Sequence, residues 1–194
     1  MRIRGSHLNL SRSLLVLSVV GMGLSVTALA QSSRSPNPEG IAADLQARAK
    51  QYLEFRKKVA GNSPKSTSTP SKITSAQSEL ANKIRIARAG AKQGEIFTPE
   101  IAQYVRKQIA SCLQGADGDR IRASLRHAEP VNITLQINQS YPEKLPLQST
   151  PPSLLLNLPQ LPAGLEYRVV GRELVIRDVD ANIVVDHVAN ALPS

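Results

Sequence analysis

The chain has no tryptophan, a single cysteine and only 3% aromatic residues in its 194 positions. One cysteine excludes a disulfide framework and a Cys-rich zinc module. The scarcity of aromatics matters for nucleic acid, because bases are held on stacking platforms. Only Tyr52, Phe55, Phe97, Tyr104, Tyr141 and Tyr167 are available, most of them at core-facing positions, so no specific nucleic-acid partner is expected. The sequence also lacks a Gly-x-x-x-x-Gly-Lys-Ser/Thr phosphate loop, a Gly-x-Gly-x-x-Gly fingerprint and a Gly-x-Ser-x-Gly nucleophile elbow. No cofactor and no catalytic residue is therefore assigned.

Long apolar runs are scarce too, and the clearest sits at the start. Arg2, Arg4 and Arg12 precede the apolar stretch Leu14 to Val26, and Ala28-Leu29-Ala30 follows as a small-x-small site. This is the three-part pattern of a secretory signal peptide over residues 1–30, cleaved after Ala30. As a helix the apolar stretch reaches about 20 Å, short of the roughly 30 Å of a bilayer's hydrocarbon core. No cysteine follows it to carry a lipid anchor. The expected product is periplasmic or secreted, with no integral membrane span after cleavage.

What is present is charge, with 24 Lys+Arg against 15 Asp+Glu and a formal net charge of +9. The excess is uneven, since residues 31–128 are basic and residues 129–194 acidic. Arg56, Lys57 and Lys58 cluster on one helical stretch, and Lys83, Arg85, Arg88 and Lys92 on another. A solvated helix surface accounts for such faces in most proteins. The sharper expectation is that these seven residues attract a polyanion, such as an anionic envelope lipid or cell-wall polymer.

Periodicity divides the remainder. Residues 31–37 lack apolar side chains and read as a disordered mature terminus. After Asn37 and Pro38, the apolar positions Ile41, Leu45, Ala49, Tyr52, Phe55 and Val59 recur at helical spacing as far as Gly61. Residues 62–72 read as a linker, and Thr74 with Gln77 has capping-box spacing for a helix over 74–90. Thr98, Pro99 and Glu100 mark the start of a third helix that stops at Gly115, with a short fourth through Ile121 and Leu125. More than half of the 13 prolines then fall between 129 and 164. Val131, Ile133, Leu135 and Ile137 alternate with polar residues as a strand would, and one short helical turn is expected in the run Pro-Pro-Ser-Leu-Leu-Leu-Asn-Leu-Pro at 151–159. Leu165–Val170, Glu173–Val179 and Ile183–Val188 form a three-stranded meander. The expected fold is α+β in one domain: a helical part over 38–128, then a Pro-rich connection and antiparallel sheet over 129–194, which the helices cover.

Chemistry-bearing residues are few. His127, His187 and Cys112 are not spaced as metal ligands, so no metal site is assigned. Cys112 shares a helical stripe with Ile101, Val105 and Ile109 and reads as a buried thiol. Asp178, Asp180 and Asp186 near the Asp180-Ala181-Asn182 turn read as turn formers in preference to calcium ligands. A hydrolase using His127 with Glu129 or Asp186 is the alternative from another class.

Three stretches carry a resemblance: Ala91-Lys92-Gln93-Gly94-Glu95-Ile96-Phe97-Thr98-Pro99, Leu125-Arg126-His127-Ala128-Glu129-Pro130 and Leu165-Glu166-Tyr167-Arg168-Val169-Val170-Gly171-Arg172-Glu173-Leu174-Val175. With Asp178, Ala181-Asn182 and Asp186, they resemble a family of exported bacterial proteins of unknown function over most of residues 40–193. That resemblance implies export and a fold, but no activity and no site. The Leu-Pro-x-Gly-x-x-Tyr-Arg-x-Val-Gly run at 161–171 is also similar to the end of the periplasmic nickel/cobalt homeostasis proteins, whose His-rich tracts this chain lacks. It implies a second alternative, a metal-responsive periplasmic protein. The function expected from the residues themselves is a non-catalytic exported binding module.

Overall fold

Asn37 caps α1 (Pro38–Ala60), because its side chain accepts from the Glu39 amide while Pro38 pre-sets the first turn. The helix buries Leu45, Ala49 and Tyr52 at spacings of four and three, and it ends at Gly61, whose φ is +64°. A computed structural model describes residues 37–61, 69–126, 133–142 and 152–192. The segment expected to be the cleaved leader, residues 1–30, lies outside them, as do positions 31–36, the 62–68 part of the expected linker, and His127 and Glu129.

Helix α2 (Pro70–Ala87) begins earlier than the Thr74 capping box predicts. Pro70 takes the first turn behind Thr69, and Thr74 Oγ1 donates back to the Pro70 carbonyl from inside the helix. Gln77 reaches across to the Val179 carbonyl instead of closing a box. Pro70-Ser71-Lys72 is thus helix and not linker. Helix α3 (Pro99–Gln114) starts as the sequence predicts, with Thr98 accepting from the Ile101 amide, and it buries Ile101, Ala102, Val105, Ile109 and Leu113. The short α4 (Gly118–Arg126) and the single turn α5 (Pro152–Leu155) follow.

The sheet is an antiparallel meander in the order β1 (Leu165–Val170), β2 (Glu173–Asp178), β3 (Ile183–Val188). The fold is α+β, helices first and sheet last. One face of the sheet carries Leu165, Tyr167, Val169, Leu174, Ile176 and Val188 into a core shared with α1, α3 and α5. Val170, Val175 and Val184 on the other face meet Leu135 and Tyr141. Ala181 and Ile183 pack under Ala81 and Ile84 of α2.

The strand predicted over Val131–Ile137 is not formed by the described residues 133–137, which pair with nothing in a ladder. Asn138 turns the chain with φ +65°, a conformation Asn tolerates better than most residues. Asn138 and the residues after it reach β3 and the turn before it, through Asn138 N–H to Val184 O (2.8 Å), Val184 N–H to Gln139 O (2.9 Å) and Tyr141 N–H to Asn182 O (2.8 Å). Among the described residues, no helix is long and apolar enough to cross a membrane.

Candidate functional site

Two fully buried aspartates organise the polar interior. Asp186 owes its inward position to a bulge: Ile176 pairs with Asp186 and Arg177 with Val184, so Val185 has no partner on β2. Val185 and Asp186 can then both turn toward the helices, while His187 opposes Val175 on the other face. The Asp186 carboxylate accepts four backbone N–H groups, from Gly94 (3.0 Å), Ile96 (2.8 Å), Phe97 (2.8 Å) and its neighbour His187 (2.8 Å). It therefore anchors the 94–97 loop that leads into α3.

Asp178 closes β2. It accepts from Tyr52 Oη (2.7 Å), Arg56 Nη1 (2.9 Å) and the amides of Asp180 and Ala181 (both 3.0 Å). Arg56 also pairs with Asp180 at 2.8 Å. Burial first, and then the Asp178 charge, push the Tyr52 hydroxyl well above the ordinary phenol range. Gly164, with φ +95°, lies under the Arg56 guanidinium, where an added Cβ would approach Nη2 to 3.1 Å.

Arg88 joins these parts. Its guanidinium lies 5.1 Å from the Tyr52 ring centroid and donates to Asn138 Oδ1 (2.8 Å) and Glu95 Oε2 (2.7 Å). Asn138 Nδ2 returns a bond to the Arg88 carbonyl (2.9 Å). Burial opposes ionisation of Glu95, yet Arg88 and the Lys92 amide together hold its carboxyl below the usual range. A second polar cluster lies on the outer sheet face, where Arg168 and Arg177 outweigh burial and keep Glu166 low as well.

The seven expected polyanion residues are thus split. Arg56, Arg85 and Arg88 are spent inside: the first on Asp178 and Asp180, the second on the Asn138 carbonyl and Ser140, the third on Asn138 and Glu95. Arg88 is only 9% exposed, so it does not share the solvated basic face read from the sequence. Lys57, Lys58, Lys83 and Lys92 are exposed, with Lys83 paired to Glu79 at 2.7 Å. Charge at helical spacing reads the same whether its partner is water or an acid far along the chain, which is why the arginines were indistinguishable from the lysines.

His187 Nδ1 is hydrogen-bonded to Glu173 on the outer sheet face. Asp178 and Asp180 share Arg56, while Asp186 serves a different loop, so the three turn aspartates do not converge on one point. Among the described residues, no three His, Cys, Asp or Glu side chains gather as a metal would require. Cys112 is half-buried, and burial pushes its thiol up. Beside β1 runs an open groove of about 570 Å³ lined by Leu155, Leu158, Pro159, Leu161 and the strand itself, with Leu156 85% exposed on its rim. No protein-family model, no curated protein and no solved structure matches this chain.

Proposed function

We propose that the chain is an exported, non-catalytic binding module of the bacterial envelope or exterior, released by cleavage after Ala30. The observation that carries this reading is the use made of the buried acids. Asp186, the carboxylate a hydrolase would offer to a histidine, has its oxygens filled by four backbone amides. Asp178 is likewise filled by Tyr52, Arg56 and two amides. A general base needs a free lone pair within reach of the proton it takes, and these oxygens hold the fold together instead.

The basic surface supports an anionic partner of the envelope, with contact through Lys57, Lys58, Lys83 and Lys92. Arg56, Arg85 and Arg88 contribute by shaping the fold behind them. Lysines act as point charges that polyanions attract without fixed geometry, and such attraction weakens steeply with salt.

The test is binding of the purified chain to vesicles with and without anionic phospholipid, and to heparin, over a salt series. Lys57, Lys58 and Lys92 changed together to Gln should lower retention with thermal stability unchanged. Equal binding to zwitterionic vesicles, or no loss in the triple variant, would reject the polyanion contact. Turnover of a substrate by the purified protein, abolished by His127→Ala with the fold intact, would reject the non-catalytic reading. N-terminal sequencing of the exported product should begin at Gln31.

A further inference from the structure

The inward stripe of α2 runs past the end of the core it serves. Ile84 and Ala81 are buried against Ala181 and Ile183, Leu80 is half-buried, and Ile73, two turns nearer the start of the helix, is 42% exposed. Residues 73, 77, 80 and 84 share one face at helical spacing, so Ile73 extends the stripe beyond the buried cluster. The β2–β3 turn meets it there. Gln77 Nε2 donates to the Val179 carbonyl (3.2 Å), and Val179 is itself 37% exposed. Arg56 of α1 grips the same turn through Asp178 and Asp180, which sets the last turn of α1 beside it. Val59 of that turn is half-buried against the α2 cluster. Exposed apolar residues scattered singly are ordinary surface, whereas Ile73, Val179, Val59 and Leu80 gather at one end of the molecule.

The rim of this patch is cationic. Lys57 and Lys58 occupy the last turn of α1 and Lys72 the first turn of α2, all three exposed. Asp180, the acid at this end, is held by Arg56. Lys72 sits at the positive end of the α2 dipole with no acid in that turn to offset it, so the fold gains nothing from its charge.

We propose that this end of the chain docks on an anionic lipid bilayer, with Ile73 and Val179 entering between the headgroups and Lys57, Lys58 and Lys72 over their phosphates. The inference rests on the polyanion reading and narrows it. A soluble polyanion or a cell-wall polymer is met by lysines alone and has no use for an apolar centre. An apolar centre inside a basic rim matches a bilayer interface, where lysine heads stay with the phosphates while apolar side chains go deeper. Lys83 lies about 15 Å from Ile73 along the helix, beyond a Debye length of about 8 Å, so it adds attraction without touching the surface at the patch.

The chain has no tryptophan, which makes the test specific to place. Ile73→Trp puts the sole indole in the patch, and Ile86→Trp puts it on the outward side of α2, about 20 Å further along, at a position 78% exposed. With vesicles of phosphatidylglycerol and phosphatidylcholine in equal parts, Ile73→Trp emission should shift to the blue and be quenched by brominated acyl chains. Ile86→Trp should respond to neither, and heparin should shift neither variant. Ile73→Ser together with Val179→Ser should lower affinity for these vesicles about tenfold or more, with retention on heparin unchanged. The tryptophan measurement stands even if the serine pair loses its fold. Vesicle binding without a blue shift in Ile73→Trp overturns the bilayer contact and leaves the polyanion reading standing, and so does binding to heparin with none to vesicles. No binding to either anionic probe rejects that reading and this inference with it. A dimer in solution that Ile73→Ser dissolves would place a second copy on the patch, and that too overturns the proposal.

Discussion

At Asp186 the decisive fact is the number of donors on one carboxylate. Four backbone amides converge on it at 2.8 to 3.0 Å. Asp186→Asn keeps the shape but turns an NH2 group toward amides that need an acceptor. Leaving buried donors unsatisfied costs about 1–3 kcal/mol each. Urea denaturation should therefore show a loss of about 3 kcal/mol or more, and a loss below about 1 kcal/mol would mean the loop finds other acceptors. Tyr52→Phe is a milder version at the other aspartate. It removes one of the Asp178 donors while Arg56 and two amides remain, so about 1–2 kcal/mol is expected.

The elements show what local sequence can and cannot reveal. The start of α3 was legible because Thr98, Pro99 and Glu100 act within one turn, and the meander because its turns are marked by Gly171-Arg172 and Asp180 to Asn182. The start of α2 was not, because Thr74 and Gln77 had a plausible local role and were drawn to partners of other kinds. Alternation over 131–137 looked like a strand, yet one left-handed Asn138 ended the extended path before it reached β3. The bulge in β3 left a trace in the sequence: strict alternation would put Asp186 on the same face as Val184 and Val188. A buried acid out of phase is the signal a bulge leaves, but its loop partners lie about ninety residues away and could not be read. The 91–98 loop depends on both ends of this arrangement, with Asp186 inside and Arg88 binding Glu95 at its surface. Arg88→Lys keeps the charge but cannot span Asn138 and Glu95 with one planar fork. Hydrogen exchange at the Gly94, Ile96 and Phe97 amides should quicken in this variant, while the middle of α3 keeps its protection. Uniform quickening across both would show that Arg88 supports the whole fold and not the loop.

Over the whole molecule, the carboxylates held below their ordinary values decide the response to acid. Glu95 ties the end of α2 to its loop, and Glu166 ties β1 to β2 through Arg177 while also pairing with Arg168 of its own strand. A depressed carboxyl contributes stability that is complete above the unfolded value, about 4.3 for Glu, and that fades as pH falls through the folded value. The arginines do not titrate in this range, so the loss belongs to the acids. Tyr52 and Tyr167 act at the other end. Burial raises both hydroxyls, and the stability they lend is complete below about pH 10 and fades as pH rises beyond it. Melting temperature should be level through neutral pH and fall on both sides. The acid limb also separates the two glutamates by their surroundings, since the Glu95 side chain is 46% exposed and the Glu166 side chain 27%. Salt screens the more exposed pair more strongly. Raising ionic strength should therefore erase most of the Glu95 share while leaving more of the Glu166 share. Glu166→Gln should shrink the acid limb at high salt more than Glu95→Gln does, as read from melting temperature against pH at two salt concentrations. Equal shrinkage would mean that the outer-face cluster is as open to ions as the loop is.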